Sequence, residues 1–167
     1  RLLAGKPLLQ HTFDIVALYF DTVIFTSDSP ELLALAPSAR NIVPSHRPSS
    51  LATDTSKVID TVSYYFDRHK GDGFDQIWLC LPTCPLRSKE DISGGMSQLT
   101  KAFDGIVSTT EYEFPPAFAL EVKDGLLASI DPSRPLASGN SRSQDQGHAY
   151  RPNGAFYGMW WESFERN

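Results

Sequence analysis

The sequence predicts an α/β protein: a three-layer, Rossmann-like, mostly parallel sheet with helices on both faces. Three observations predict it. Short β-branched and aromatic runs alternate with segments of helical periodicity up to about Thr110. The run from Ile77 to Leu81 is apolar throughout, as a strand covered on both faces is. It stops abruptly at Pro82-Thr83-Cys84-Pro85 and is followed by Arg87 and a helix start. Open α/β sheets present ligand sites in this way, with polar groups collecting at the carboxyl ends of strands.

Each element has its own signal. Leu8, Leu9, Phe13, Val16, Ala17 and Phe20 give residues 7–20 one buried helical face. Residues 23–26 read as a buried strand. Ser29 as cap, Pro30 at the first helical position and Glu31 in the first turn open a helix that Pro37 ends. Ile42-Val43 is a short strand and residues 46–50 a loop. Thr53 or Asp54 caps a longer helix carrying Val58, Ile59, Val62, Tyr65, Phe66 and His69 at helical spacing, closed by Gly71 and Gly73. Residues 75–81 form the central strand. Ser88-Lys89-Glu90-Asp91 has the form of a capping box before a helix that runs toward Phe103, although Gly94-Gly95 disfavours it. Residues 105–109 are a further strand.

After Pro115-Pro116 the character changes. Lys123-Asp124-Gly125 lies between two apolar runs, 117–122 and 126–130, and signals a hairpin. Residues 131–149, rich in Ser, Arg, Gln, Gly and Pro, read as a long loop. Residues 150–160 return to an ordered aromatic segment. The hairpin and loop are expected to extend from the α/β body as a dimer arm. No internal repeat is visible.

Acidic residues outnumber Lys and Arg 20 to 15, for a net charge of −5, which argues against sequence-independent nucleic-acid binding. No apolar run approaches the length of a membrane span and no signal-peptide pattern is present, so no membrane partner is expected. Cys80 and Cys84 make no disulfide framework, and with four scattered histidines no metal ligands are assigned; a reducing cytoplasm is the simplest setting. His69 and His148 show no partner pattern and receive no catalytic role. Trp160 and Trp161 read as core or interface residues.

Five segments occur in a fixed order: Leu3-Ala4-Gly5-Lys6-Pro7-Leu8, Phe25-Thr26-Ser27-Asp28, Arg47-Pro48 through Leu51-Ala52-Thr53-Asp54-Thr55, Pro82-Thr83-Cys84-Pro85-Leu86-Arg87, and Tyr150-Arg151-Pro152-Asn153-Gly154-Ala155-Phe156-Tyr157. In order and spacing the chain resembles the acylneuraminate cytidylyltransferases (CMP-sialic acid synthetases) over almost its whole length. The resemblance implies a single nucleotidyltransferase-like domain, with a core over about residues 1–111 and 150–167 and a dimerisation extension over about 112–149. It implies transfer of CMP from CTP to an acidic keto-sugar such as N-acetylneuraminate, with release of pyrophosphate, by a homodimer using Mg²⁺.

The resemblance also implies site residues. Arg47, Asp54, Thr55, Ser56, Pro82 and Thr83 would meet the nucleotide; Arg87, Arg142, Tyr150, Arg151 and Asn153 would meet the sugar; the catalytic group is unassigned. Each has a plainer reading beside it. Arg47 is equally a solvated loop arginine. Asp54–Ser56 either meet the nucleotide at a helix amino terminus or simply cap it. Thr83 and its prolines either line a cleft or only shape a turn. Arg87 either meets the ligand or pairs with Glu90 or Asp91. Arg142 and Arg151 suit a carboxylate by bidentate geometry, or serve as a polar hinge.

Relative to the family, the amino-terminal strand with its phosphate loop and the carboxyl-terminal Asp-x-Asp pattern are expected outside residues 1–167. Leu81 stands where the family often has glutamine, Val58 where a hydroxyl is usual, and Ser143 where a second arginine is usual. The alternative reading is therefore a catalytically incomplete relative acting as a nucleotide-binding or dimeric structural module.

Overall fold

A computed structural model describes residues 2–166, and the chain divides into two compact units, Arg1–Ser108 with Gly154–Asn167, and Thr109–Asn153. In chain order the elements are β1 (Leu2–Leu3), β2 (Lys6–Pro7), α1 (Leu8–Val16), β3 (Val23–Ser27), α2 (Pro30–Leu33), β4 (Ile42–His46), α3 (Val58–Arg68), β5 (Gln76–Leu79), α4 (Lys89–Gln98) and β6 (Gly105–Glu111). There follow β7 (Leu120–Lys123), β8 (Leu126–Ser129), α5 (Pro135–Ser138), β9 (Tyr150–Trp160) and α6 (Trp161–Arg166). The residues up to Asn167 read from the sequence as the first turns of a helix; α6 spans Trp161–Arg166, and Asn167 lies outside the described residues.

The α/β class holds, but the sheet is mixed and built from small pieces. β3 and β4 form a parallel pair in register from Val23↔Ile42 to Ser27↔His46. β9 lies between β5 and β6 and runs antiparallel to β5. Residues 150–160 therefore return as a strand between two neighbours, which local periodicity does not reveal. Pro44 is tolerated inside β4 because the N–H groups directed at β3 belong to alternate residues, ending with Arg47 N to Ser27 O at 2.9 Å.

Helices cover both faces of β3. Phe13 of α1 meets Phe25 edge to face at 5.1 Å, while the hydroxyl of Tyr65 on α3 bonds Thr26 Oγ1 and Ser45 Oγ, each at 2.9 Å. Phe25 and Thr26 are consecutive in a strand, so they point to opposite faces, and so do the helices that reach them. Phe13, Val16, Tyr65, Phe66, Ile92, Leu99 and Phe156 are buried. Phe66 stacks on Trp161 at 4.3 Å, tying α3 to the start of α6. Trp160 gives its indole N–H to Thr100 O, and the Lys101 ammonium sits 3.9 Å above its ring.

Local signals hold at several ends. Ser29 accepts from Leu32 N, though α2 is only one turn long. The capping box of α4 is complete: Ser88 Oγ accepts Asp91 N at 3.1 Å and Asp91 accepts Ser88 N at 2.8 Å. α3, in contrast, starts at Val58 behind Lys57 with no side-chain cap. Thr53 and Asp54 do not cap it, because Thr53 Oγ1 and Ser56 Oγ bond each other at 2.7 Å and close their own turn.

Arg87 is 5% exposed. It donates from Nε to Ala155 O at 2.6 Å, from Nη2 to Leu81 O at 2.8 Å and from Nη1 toward Thr12 Oγ1 at 3.5 Å. The pairing expected with Glu90 or Asp91 gives way to these inward bonds, since Asp91 is engaged in the capping box.

In the second unit, β7 and β8 pair antiparallel across Asp124 and Gly125, at φ 53° and 78°. Val122, Leu126 and Leu127 are each at least 70% exposed on this hairpin. The expected long loop contains α5 and a 3₁₀ turn, Ser143–Asp145. His148, for which the sequence shows no partner, bonds the Glu111 carboxylate, which raises its pKa; in the first unit His69 bonds Asp72 at 2.8 Å. Among the described residues no helix is long and apolar enough to cross a membrane.

Two substitutions test this packing. A methyl group at Gly95 would come within 2.8 Å of Phe156 Cζ and 3.0 Å of Cε2. Helix propensity alone predicts that Gly95→Ala stabilises by ~1 kcal/mol. The buried ring makes us expect destabilisation by about 1–3 kcal/mol in urea unfolding. Arg87→Met, which keeps the length and removes every donor, is expected to destabilise by about 2–4 kcal/mol in the same measurement, because it removes the charged hydrogen bonds to Leu81 O and Ala155 O.

Candidate functional site

The first unit contains a cavity of about 630 Å³ with Arg47, Pro82 and Thr83 in its wall. Three of the residues assigned to the nucleotide thus share one hollow, at the carboxyl ends of β4 and β5. The parallel pairing of β3 and β4 brings Ser27 and Asp28 beside Arg47. Arg47 Nη2 donates to Asp28 Oδ1 at 3.1 Å, and this bond holds the Asp28 carboxyl below its usual range. Arg47 Nε is buried with no hydrogen-bond partner. A buried guanidinium N–H without an acceptor is uncommon and leaves a donor available to an incoming oxygen.

The loop after β5 closes on itself, with Cys84 N bonding Leu81 O and Arg87 N bonding Cys84 O, each at 3.3 Å. Gly154 packs on this loop. Its φ is +76°, and a Cβ there would stand 3.3 Å from Leu81 Cδ1 and 3.6 Å from Cys84 Sγ. Glycine meets both the backbone and the space requirement. From the sequence Asn153-Gly154 reads as a tight turn entering a strand; in the structure both lie inside β9, with Gly154 in the left-handed region. Two motifs distant in sequence, 82–87 and 154–155, therefore meet in the first unit, joined by this contact and by the Arg87 bond to Ala155 O. Burial pushes the Cys80 thiol up to about 11, with the nearby Arg87 charge opposing, so Cys80 is an inert packing residue.

Asp54, Thr55 and Ser56 lie in the turn before α3; α3 reaches the cavity from Val58 and Thr61 onward. Arg87 reaches inward to carbonyl oxygens. The other residues assigned to the sugar belong to the second unit. Arg142 is exposed and 3.7 Å from Asp145. Asn153 Nδ2 donates to Thr109 O at 3.1 Å, and Tyr150 and Arg151 are exposed near the start of β9. Among the described residues no group of three His, Cys, Asp or Glu is placed to hold a metal ion.

Sequence reasoning missed Tyr65 as a polar element of the cavity wall, because helical spacing marks it only as core. Its phenol was the available signal: a buried tyrosine hydroxyl needs a partner, and Thr26 and Ser45 supply it.

No protein-family model matches the chain. The chain is 33% identical over 127 residues to the CMP-N,N'-diacetyllegionaminic acid synthase of Legionella pneumophila, covering 73% of this chain and 54% of that protein. It is 23% identical over 158 residues to the pseudaminic acid cytidylyltransferase of Campylobacter jejuni, covering 92% of this chain and 67% of the relative. The match thus spans little more than half the length of the Legionella relative. Taken with the five ordered motifs and the meeting of two of them in the first unit, these similarities show that the chain belongs to the sialic-acid-type CMP synthetase family.

Proposed function

We propose that the protein transfers CMP from CTP to an acidic keto-sugar of the legionaminic, pseudaminic or neuraminic type. The anomeric hydroxyl attacks the α-phosphorus, the new O–P bond forms as the bond to pyrophosphate breaks, and the hydroxyl proton leaves to solvent or a base. The named relatives act on two such acids, and the observation that carries the reading here is Arg47. Its orphaned Nε stands in the same cavity wall as Pro82 and Thr83, where an oxygen of the nucleotide would satisfy it. Asp54, Thr55 and Ser56 are assigned to the same nucleotide. Arg142 and Arg151 supply forks for the sugar carboxylate, with Tyr150 and Asn153 beside them. Arg87 serves the site by holding the loop that carries Thr83. Magnesium would arrive with the triphosphate, and no residue of this chain is assigned to it.

The finer architecture belongs to the same proposal: a three-layer α/β core and a dimerisation arm built on β7 and β8. A two-stranded hairpin is marginal by itself, and this one exposes Leu120, Val122, Leu126 and Leu127. A second copy would cover them. Two free cysteines fit a reducing cytoplasm.

A second reading, a nucleotide-binding relative without turnover, is favoured by Leu81, an apolar side chain in the cavity wall next to Thr83. One experiment separates the two. The purified protein is mixed with CTP, magnesium and, separately, N,N'-diacetyllegionaminic, pseudaminic and N-acetylneuraminic acids. Pyrophosphate release with one of them supports the enzyme. CTP binding by calorimetry without release supports the second reading, and a folded protein that does not bind CTP ends both. Arg47→Ala is expected to weaken CTP binding by about ten- to a hundredfold, the worth of a charged hydrogen bond.

The arm is tested apart from activity. Sedimentation is expected to show a dimer, and the double variant Val122→Glu, Leu126→Glu a folded monomer. A monomeric parent protein would overturn the arm.

A further inference from the structure

Three hydroxyl groups meet at the Arg47 end of the β3–β4 pair. Thr26 and Ser45 are register partners on the two parallel strands, so their side chains stand on one face. The phenol oxygen of Tyr65, on α3, lies 2.9 Å from each of them. It has a single proton and gives it to Ser45 Oγ, so the Thr26 hydroxyl donates to the phenol oxygen. Tyr65 is buried, and Thr26 and Ser45 are half-buried. Beyond this rung the strands run one pair further, Ser27↔His46, and Arg47 N closes on Ser27 O at 2.9 Å. Asp28 stands two positions after Thr26, and Arg47 two positions after Ser45. The Arg47–Asp28 bond, at 3.1 Å, therefore repeats, two positions on, the pairing that Tyr65 holds.

We propose that Tyr65 is a positioning residue for the nucleotide: its hydroxyl locks the Thr26–Ser45 rung and so sets where Asp28 and Arg47 stand. The proposal rests on the reading that Arg47 meets the nucleotide. Packing alone does not call for the hydroxyl. The Tyr65 ring already meets Tyr64 edge to face at 5.1 Å. Phenylalanine at this helical position would bury the same face with no polar atom to satisfy. The hydroxyl instead takes one side-chain oxygen from each strand. Two bonds from one atom to neighbouring strands resist the sliding of one strand end past the other. Hydrogen bonds weaken steeply off their angle. A small slide at this end would therefore loosen Arg47 from Asp28 and redirect the Nε edge that has no acceptor. Tyr65 and Arg47 line the same hollow, so a bound nucleotide would feel that displacement directly.

The test variant is Tyr65→Phe, which keeps the ring and removes both bonds. Asp28 reports on the geometry without any ligand, since its bond from Arg47 holds the carboxyl below the ordinary range. In an NMR titration of the variant that pKa is expected to rise toward its ordinary value. CTP binding by calorimetry is expected to weaken by about three- to tenfold, less than in Arg47→Ala, because the guanidinium is displaced and not removed. In the double variant Tyr65→Phe, Arg47→Ala, binding is expected to match Arg47→Ala alone within about twofold, because Tyr65 acts through Arg47. Ser45→Ala repeats the test from the strand side, and both readouts are expected to move in the same direction. Ile92→Val, buried in α4 and outside the hollow, controls for lost stability and is expected to leave CTP binding unchanged. Four outcomes overturn the proposal and leave the nucleotide reading standing: Asp28 titrates in both Tyr65→Phe and Ser45→Ala as in the parent; Tyr65→Phe binds CTP as the parent does while Arg47→Ala does not; the two substitutions weaken binding independently; or Ile92→Val weakens it as much as Tyr65→Phe. A fifth, Arg47→Ala binding CTP as tightly as the parent, removes the nucleotide reading and the proposal with it.

Discussion

A single guanidinium sits where three chain segments cross. Arg87 is buried, and no acidic side chain takes its bonds; its acceptors are Leu81 O at the end of the central strand region, Ala155 O in β9 and the Thr12 hydroxyl of α1. Burying a charge is expensive unless its donors are used, and carbonyl dipoles are what this chain offers. The arrangement has structural consequences. It fixes the exit of the loop bearing Pro82 and Thr83, and it holds β9 at the point where Gly154 kinks against that loop. The loop that carries Thr83 is thereby tied to β9.

Local chemistry was legible in the sequence wherever a few adjacent residues decide the outcome. Ser88 with Asp91, Ser29 before Pro30, and Asp124-Gly125 all adopt the geometry their types prefer. What was not legible is set by partners far along the chain. The return of β9 between β5 and β6 is decided by pairing across some eighty positions, and its residues carry no mark of direction. Gly95 reads as a weakness in a helix until Phe156 is placed over it. Thr53 to Ser56 look like a helix cap, yet hydroxyls so close together satisfy one another first. At the candidate site, the Arg47 and Thr83 segments were visible as motifs. Their sharing of one cavity follows from the parallel β3–β4 pair and the end of β5, which residue types alone do not specify.

The cavity wall mixes apolar and polar side chains. Most of its wall is aliphatic and aromatic, with Phe13, Val62 and Trp78 among the contributors, and a triphosphate would lose hydration there without recompense. Its polar contributors include Arg47, Ser27 and Thr83 at the carboxyl ends of the strands, and Thr22 and Gln76 at the amino ends.

Charge sharpens the point. The chain carries a net −5, so its mean field does not attract an anionic nucleotide or an acidic sugar. Screening confines that field to roughly 8 Å at physiological ionic strength, and recognition falls to groups in direct contact. Arg47 is suited to this. Asp28 holds one end of its guanidinium and so fixes the plane of the fork, while the Nε edge stays without an acceptor. An arginine restrained by one carboxylate loses less freedom on meeting a second anion than an unrestrained one. The local acid costs some attraction and supplies orientation; at contact distance, where a hydrogen bond depends steeply on angle, orientation is the larger effect.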